Sequence, residues 1–171
     1  MRLFSGIVDS LSEDIVKALL AAKDIEVEER AEVVRDIVSV FQNYLTIDRQ
    51  ATEKAKDLIQ SRSMAQTEFP RLRKLTAEQA GIKVGDEMMD YLLDQLIEIL
   101  MHSHNVDEVF AEDHGLRRTM RPVLKKHLDV EAELDAEARG KLKHMQEGTR
   151  TWEVEYQRIM GDIQRRRGLN R

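Results

Sequence analysis

The stretch VVRDIVSVFQNYLTIDRQATEKAKDLI, residues 33–59, decides the fold class. Val33, Val34, Ile37, Val40, Phe41, Tyr44, Leu45, Ala51, Ala55, Leu58 and Ile59 recur at helical spacing, with charged and amide side chains filling the other face. That pattern is one amphipathic helix. Its start is placed near Glu28 or Glu29, whose acids suit the positive end of a helix, and its end at about Ser61. At 1.5 Å per residue it spans roughly 45–50 Å, which predicts an elongated, all-α helical bundle.

Working outward, Leu3, Ile7, Leu11, Ile15 and Leu19 form one stripe, predicting a first helix from about Leu3 or Gly6 to Ala22. Lys23–Val27 breaks the rhythm. Downstream, Ser63–Phe69 is a joint, Pro70 suits the first turn of a helix running to Ala80, and Gly81 stops it. Asp86 is expected to cap a helix over Glu87–His102, where Met88, Met89, Leu92, Leu93, Leu96, Ile97, Leu100 and Met101 make an apolar arc broad enough for contacts on more than one side. After the polar break Ser103–Asn105, Val106–Phe110 is read as a single turn. Asp113 and Gly115 introduce a second long helix (Leu116, Met120, Val123, Leu124, Leu128, Leu134, Ala138, Leu142, Met145), with Pro122 expected to bend it or delay its start. Thr149 or Thr151 caps a last helix lined by Trp152, Tyr156, Ile159, Met160 and Ile163, and Gly168 stands where a C-cap belongs.

The two long helices match each other. At an offset of 83 residues Val33 falls on Leu116, Ile37 on Met120, Phe41 on Leu124, Leu45 on Leu128, Asp48 on Glu131, Ile59 on Leu142 and Phe69 on Trp152. Upstream an offset of 81 sets Ile15 on Leu96, Leu19 on Leu100, Ile25 on Val106 and Glu26 on Asp107. The chain is therefore expected to hold two degenerate repeats of a short-helix/long-helix hairpin plus a terminal helix, residues 1–82 and 83–171, packed as one structural domain. Each unit alone leaves an apolar stripe uncovered, and stacking two covers it.

Composition narrows the function classes. With 171 residues the chain is long enough to bury a sizeable core, and with no Cys it has no thiol chemistry or cysteine-held metal. The opening segment meets Asp9, Glu13 and Asp14 before an apolar run of signal-peptide length develops, and Asp90, Asp94 and Glu98 interrupt the most apolar stretch, Met88–Met101. A cytoplasmic location with no membrane contact is expected. The formal net charge is −5, unevenly spread: residues 9–36 are rich in acids, and 150–171 in arginine.

The opening MRLFSGIVDSLSEDIV (residues 1–16) and the long stretch from His104 to Leu169 resemble a bacterial family grouped as domain of unknown function 507. The family's unit ends with an acidic-x-acidic break, a long helix and Glu-Gly-[Ser/Thr]-x-x-Trp ahead of an Arg-rich helix. Here those positions are Glu147, Gly148, Thr149 and Trp152, followed by Glu153, Tyr156 and Arg165–Gly168. The first unit departs from the ending, with Phe69 in the Trp position and no Glu-Gly before it. The resemblance implies a helical fold and supplies no activity or catalytic residue.

Candidate sites are few. His102, His104, Glu112, Asp113 and His114 cluster at two breaks without the spacing of a known metal site, and there is no phosphate-cradling glycine loop and no singled-out acid–base pair. No enzyme, cofactor or metal is expected. Lys54, Lys56, Arg62, Arg71, Arg73 and Lys74 gather around the first joint, while Arg165, Arg166, Arg167 and Arg171 finish the second unit; stacked in pseudo-twofold fashion, they would make one phosphate-holding patch. A second basic run is Arg117, Arg118, Arg121, Lys125 and Lys126. Trp152 and Tyr156, four residues apart, are read with Phe69 as structural anchors, the alternative being a platform for bases. The leading expectation is a protein–protein interaction or assembly module, a homodimer or a complex with another protein, driven by surplus apolar stripe. The second is an RNA-, ribosome- or DNA-associated protein using the basic joint and tail.

Overall fold

The computed structural model describes residues 2–167. It contains helices α1 (Val8–Ala21), α2 (Arg30–Ser61), α3 (Phe69–Gln79), α4 (Met88–His102), α5 (Asp113–Lys141) and α6 (Arg150–Arg166), with two-residue strands β1 (Ile25–Glu26) after α1 and β2 (Glu108–Val109) after α4. Single 3-10 turns, Ser5–Ile7, Gln66–Glu68 and Gly85–Glu87, lead into α1, α3 and α4. The architecture is an all-α bundle carrying one small ribbon. Its accessible surface of 10239 Å² exceeds the roughly 8,600 Å² typical of a compact monomer of this mass, in keeping with long helices projecting from a centre.

Three helices end in the same closed turn. The amide of Asp24 donates to Leu19 O (3.0 Å), that of Met64 to Ile59 O (3.0 Å) and that of Ile82 to Ala77 O (3.1 Å). Lys23, Ser63 and Gly81 take the left-handed conformation these turns need, with φ of 58°, 48° and 84°. Only the third carries the glycine that announces such a stop, so the first two were legible only as lost rhythm.

Several local expectations are corrected. Val106–Phe110 is no helical turn: it contains β2, which pairs antiparallel with β1 in the register Ile25↔Val109, Glu26↔Glu108. A two-residue strand has no alternation to read, and its partner lies far away in the chain. Asp86 sits within a 3-10 turn, and Glu87 takes the N-cap position of α4 without a side-chain cap bond. Pro122 neither delays nor interrupts α5, which runs through it. Gly168 lies outside the described residues.

Element order is the same in the two halves. The strands and the starts of the long helices are each separated by 83 residues, and the ends of α1 and α4 by 81. The two extra residues therefore fall in the loop between α4 and β2, and Ile25 corresponds to Glu108 and not to Val106. The antiparallel pairing matches the first residue of β1 with the second of β2 and the reverse, the register that a twofold arrangement of equal units produces.

Packing interleaves the halves: α1 lies against α2 and α5, and α4 against α5 and α2. The central core draws Leu11, Ile15 and Leu19 from α1, Val33, Ile37 and Phe41 from α2, Leu92, Leu93 and Leu96 from α4, and Leu116, Met120 and Leu124 from α5. Beyond it each long helix forms an arm with the helix that follows. The first arm buries Ala55, Ile59, Phe69 and Leu72; the second buries Leu134, Ala138, Leu142, Trp152, Tyr156, Ile159, Met160 and Ile163. The arc of α4 is buried within the chain from Met88 to Leu100, and its last residue, Met101, is exposed. Among the described residues the exposed large apolar side chains are Leu75, Met101, Phe110, Val130 and Val154, spread over different elements.

Candidate functional site

The ending Glu147–Gly148–Thr149–x–x–Trp152 forms a clasp between the arms. Gly148 has φ of 87°, and a Cβ there would stand 2.6 Å from Gln66 Nε2 and 2.9 Å from the Phe69 ring, so only glycine lets the second joint lie on the first. Gln66 Nε2 donates to Glu147 O (2.8 Å), and the Glu147 carboxylate receives Arg139 Nη1 (2.7 Å). Thr149 Oγ1 accepts the amide of Trp152 (3.3 Å) and so caps α6. Trp152 stacks on Tyr156 with centroids 4.8 Å apart, Arg139 lies 5.3 Å from the Trp152 centroid, and the Tyr156 hydroxyl donates to Asp135. Burial and the Asp135 carboxylate push the Tyr156 phenol well above its ordinary range. Lys56 reaches across to Glu153 and is also bound by Glu53 (2.9 Å). Every residue of the motif thus has a packing, capping or bridging task.

At the root of the first arm Arg73 donates to both oxygens of Asp48 (2.7 and 3.0 Å) and to Thr52 Oγ1 (3.2 Å). Asp48 is buried, and Arg73 compensates its charge through Nη2, which reaches both carboxylate oxygens. In the second arm, 83 residues on, Glu131 and Tyr156 take the places of Asp48 and Arg73. Glu131 is 3 % exposed and its Oε2 has no hydrogen-bond partner. Burial, with Asp135 adding to it, raises its pKa above the usual carboxylate range. Arg73→Met is expected to cost about 1–2 kcal/mol by stranding the Asp48 charge, and adding Asp48→Asn to restore most of that. Urea unfolding of the two single variants and the double variant measures this; additive losses would rule out the pairing.

Some of the other cations singled out in the sequence also pair with carboxylates of the same chain. Arg71 pairs with Glu68 (3.2 Å), Arg165 with Asp162, and Arg167 with Glu137 (2.8 Å). In the second basic run Arg117 pairs with Asp94 and Asp113, Arg121 with Asp90 and Lys125 with Asp129, while Arg118 and Lys126 are exposed. Lys54, Arg62, Lys74 and Arg166 are exposed. Lys74 shares with Arg2, Arg73 and Arg139 an open cleft of about 620 Å³, whose walls also carry Asp86, Glu87 and Asp135. No ion pair or side-chain hydrogen bond among the described residues joins the first-joint group to Arg165–Arg167, and Arg171 lies outside them. Phe69, Trp152 and Tyr156 are 3 %, 7 % and 1 % exposed, anchors whose ring faces are not open to bases.

The outer side of the second arm carries a groove of about 410 Å³. Leu142, Ile159 and Met145 line its apolar part, and Lys141, His144 and Arg166 stand exposed around it. Arg158 is occupied by Glu155 (2.9 Å) and Asp162 (3.4 Å), while the carboxylate nearest Lys141, that of Glu137, is 3.8 Å away. Glu155 and Asp162 line the same groove, so its wall carries acids as well as cations.

Comparison with known families gives a match over residues 1–169 to the family described as Protein of unknown function (DUF507), the stretch that includes the clasp motif. The chain belongs to the DUF507 family. No curated protein matches it. Within this DUF507 chain His102, His104 and His114 are exposed, and among the described residues no group of three metal-ligating side chains comes together. No helix of the described DUF507 residues is long and apolar enough to cross a membrane. Sequence reading missed the groove: Lys141, His144 and Arg158 stand at or beyond the end of α5 and on α6, and only folding the two helices together sets them around one space. The Asp48–Arg73 pair was half visible, because an acid on the apolar face matched Glu131 in the repeat.

Proposed function

We propose that this DUF507 protein is a non-enzymatic helical interaction module, built from two copies of one unit, that binds another protein through the outer groove of its second arm. The supporting observation is how its cations are divided. At the clasp Lys56, Arg73 and Arg139 are bound by carboxylates of the same chain, whereas at the groove Lys141, with its long 3.8 Å pair to Glu137, His144 and Arg166 stand exposed beside Leu142, Met145 and Ile159. Burial of Trp152 and Tyr156 takes away the stacking platform that a nucleic-acid reading would use. Charged rims steer and orient a protein partner, and the partly exposed Met145 adds an apolar contact.

The test is affinity capture from the native lysate at low and high salt, comparing the parent with a Lys141→Glu/Arg166→Glu variant and measuring the mass of the purified protein alongside. A captured protein, or a second copy of the chain, that is reduced at least about tenfold by the charge reversal supports the reading. Capture of RNA or ribosomal material that leaves at high salt, or a partner indifferent to both substitutions, overturns it.

A further inference from the structure

We propose that Glu131 makes docking of the second arm proton-dependent: the arm packs tightly while this side chain is the neutral acid and loosens when it ionises. The two arms are built alike at their roots, but only one has its buried acid compensated. Asp48, between Tyr44 and Ala51, is gripped by Arg73. Glu131 lies between Leu128, the last α5 residue of the central core, and Leu134, the first of the arm's own core. Its Oε2 is buried with no partner. An ionised carboxylate there would have no counter-ion and, at Oε2, no water, whereas the protonated form is tolerated at the cost of one unmade hydrogen bond.

The surrounding charges do not supply the missing compensation. On α5 itself Asp135 is one turn away, already bound by Arg139 and Tyr156, and its negative charge opposes ionisation of Glu131. His127, one turn the other way, is 2.8 Å from Asp14 of α1. From α6 the facing polar group is the Tyr156 hydroxyl, spent on Asp135. In the N-terminal segment Arg2 lies over the rings of Phe4 and Tyr156, at 5.3 and 5.5 Å. The α4 acids Asp90 and Asp94 are bound by Arg121 and Arg117, more than two turns back along α5. None of these makes a hydrogen bond or ion pair with Glu131 among the described residues.

The direction follows from proton linkage. A folded state that holds the Glu131 proton more tightly than the unfolded chain is most stable at low pH. It loses that advantage as pH rises from the ordinary carboxylate range through the raised folded value. The loosening falls on the second arm, because Glu131 stands at the root of that arm and the first arm's acid is paired.

The chain's single Trp, Trp152, lies in the second arm and reports on it directly. Acrylamide quenching of Trp152 emission would be followed from about pH 5 to 9, below the range in which the buried tyrosines ionise, in the full chain and in Glu131→Gln. The expected result is a quenching constant that rises roughly twofold or more with pH in the parent and stays at its low-pH value in Glu131→Gln. Hydrogen exchange gives the second readout: protection of α6 amides, corrected for intrinsic rates, falls with pH in the parent while that of α3 does not. A parent whose quenching is flat with pH, a Glu131→Gln variant that follows the parent, or equal loss of protection in α3 and α6 would overturn the proposal.

Discussion

Trp152→Ala is expected to lower stability by about 3–5 kcal/mol, with the loss concentrated in the second arm. The indole is 7 % exposed, stacks on Tyr156 and lies beneath the Arg139 guanidinium, so truncation leaves a cavity and removes a cation–π contact. Leu134, Ala138, Leu142, Ile159, Met160 and Ile163 complete a cluster distinct from the central core. With Trp152 removed, α6 should therefore lose amide protection before α1, α2 and α4 do. Thermal unfolding followed by far-ultraviolet circular dichroism is expected to begin roughly 6–20 °C lower, or to split into two transitions. A variant that melts with the parent and keeps α6 protected would mean that the ring anchors nothing, which would reopen its reading as an exposed platform.

Gly148→Ala is expected to cost about 2–4 kcal/mol, more than the same change at Gly81, where about 1–2 kcal/mol is expected. Both glycines have positive φ, 87° and 84°, so both variants bear the left-handed strain of an L-residue. They differ in surroundings: a Cβ on Gly81 meets open space, whereas one on Gly148 meets Gln66 Nε2 and the Phe69 ring. The Gln66 amide swings aside easily, but the ring is fixed in the first arm's core, so the second joint must lift off. Lifting it breaks the bond from Gln66 to Glu147 O and strains the bridge from Lys56 to Glu153. Urea unfolding of the two variants measures the difference. Equal costs would show that the strain is all conformational and that the arms do not meet at this glycine.

These two variants also separate what was legible from what was not. Trp152 and Phe69 could be named as anchors from the sequence because a large aromatic on an apolar helical face has few other places to go. The role of Gly148 could not. Its motif was recognisable as a pattern, yet the reason for the pattern is Phe69, in the joint of the other unit. The same distinction holds for the cations: Arg73 and Lys56 read as part of a phosphate-holding basic cluster until Asp48, one helix away, and Glu153, in the other arm, are brought beside them.

What the sequence determined by itself is everything that depends on neighbours three or four residues apart: the helices, their buried faces, the stop at Gly81, and the match between two long amphipathic stretches. The hydrophobic period is a local property, and it survives whatever the rest of the chain does. Tertiary structure decided the pairing of β1 with β2, the internal covering of α4 from Met88 to Leu100, the pairing of Lys56 with Glu153, the groove on the second arm, and the contrast between compensated Asp48 and stranded Glu131. Each of these depends on the distance between groups far apart in the chain. Charge compensation and desolvation are set by that distance and by the exclusion of water, neither of which exists until the helices have packed.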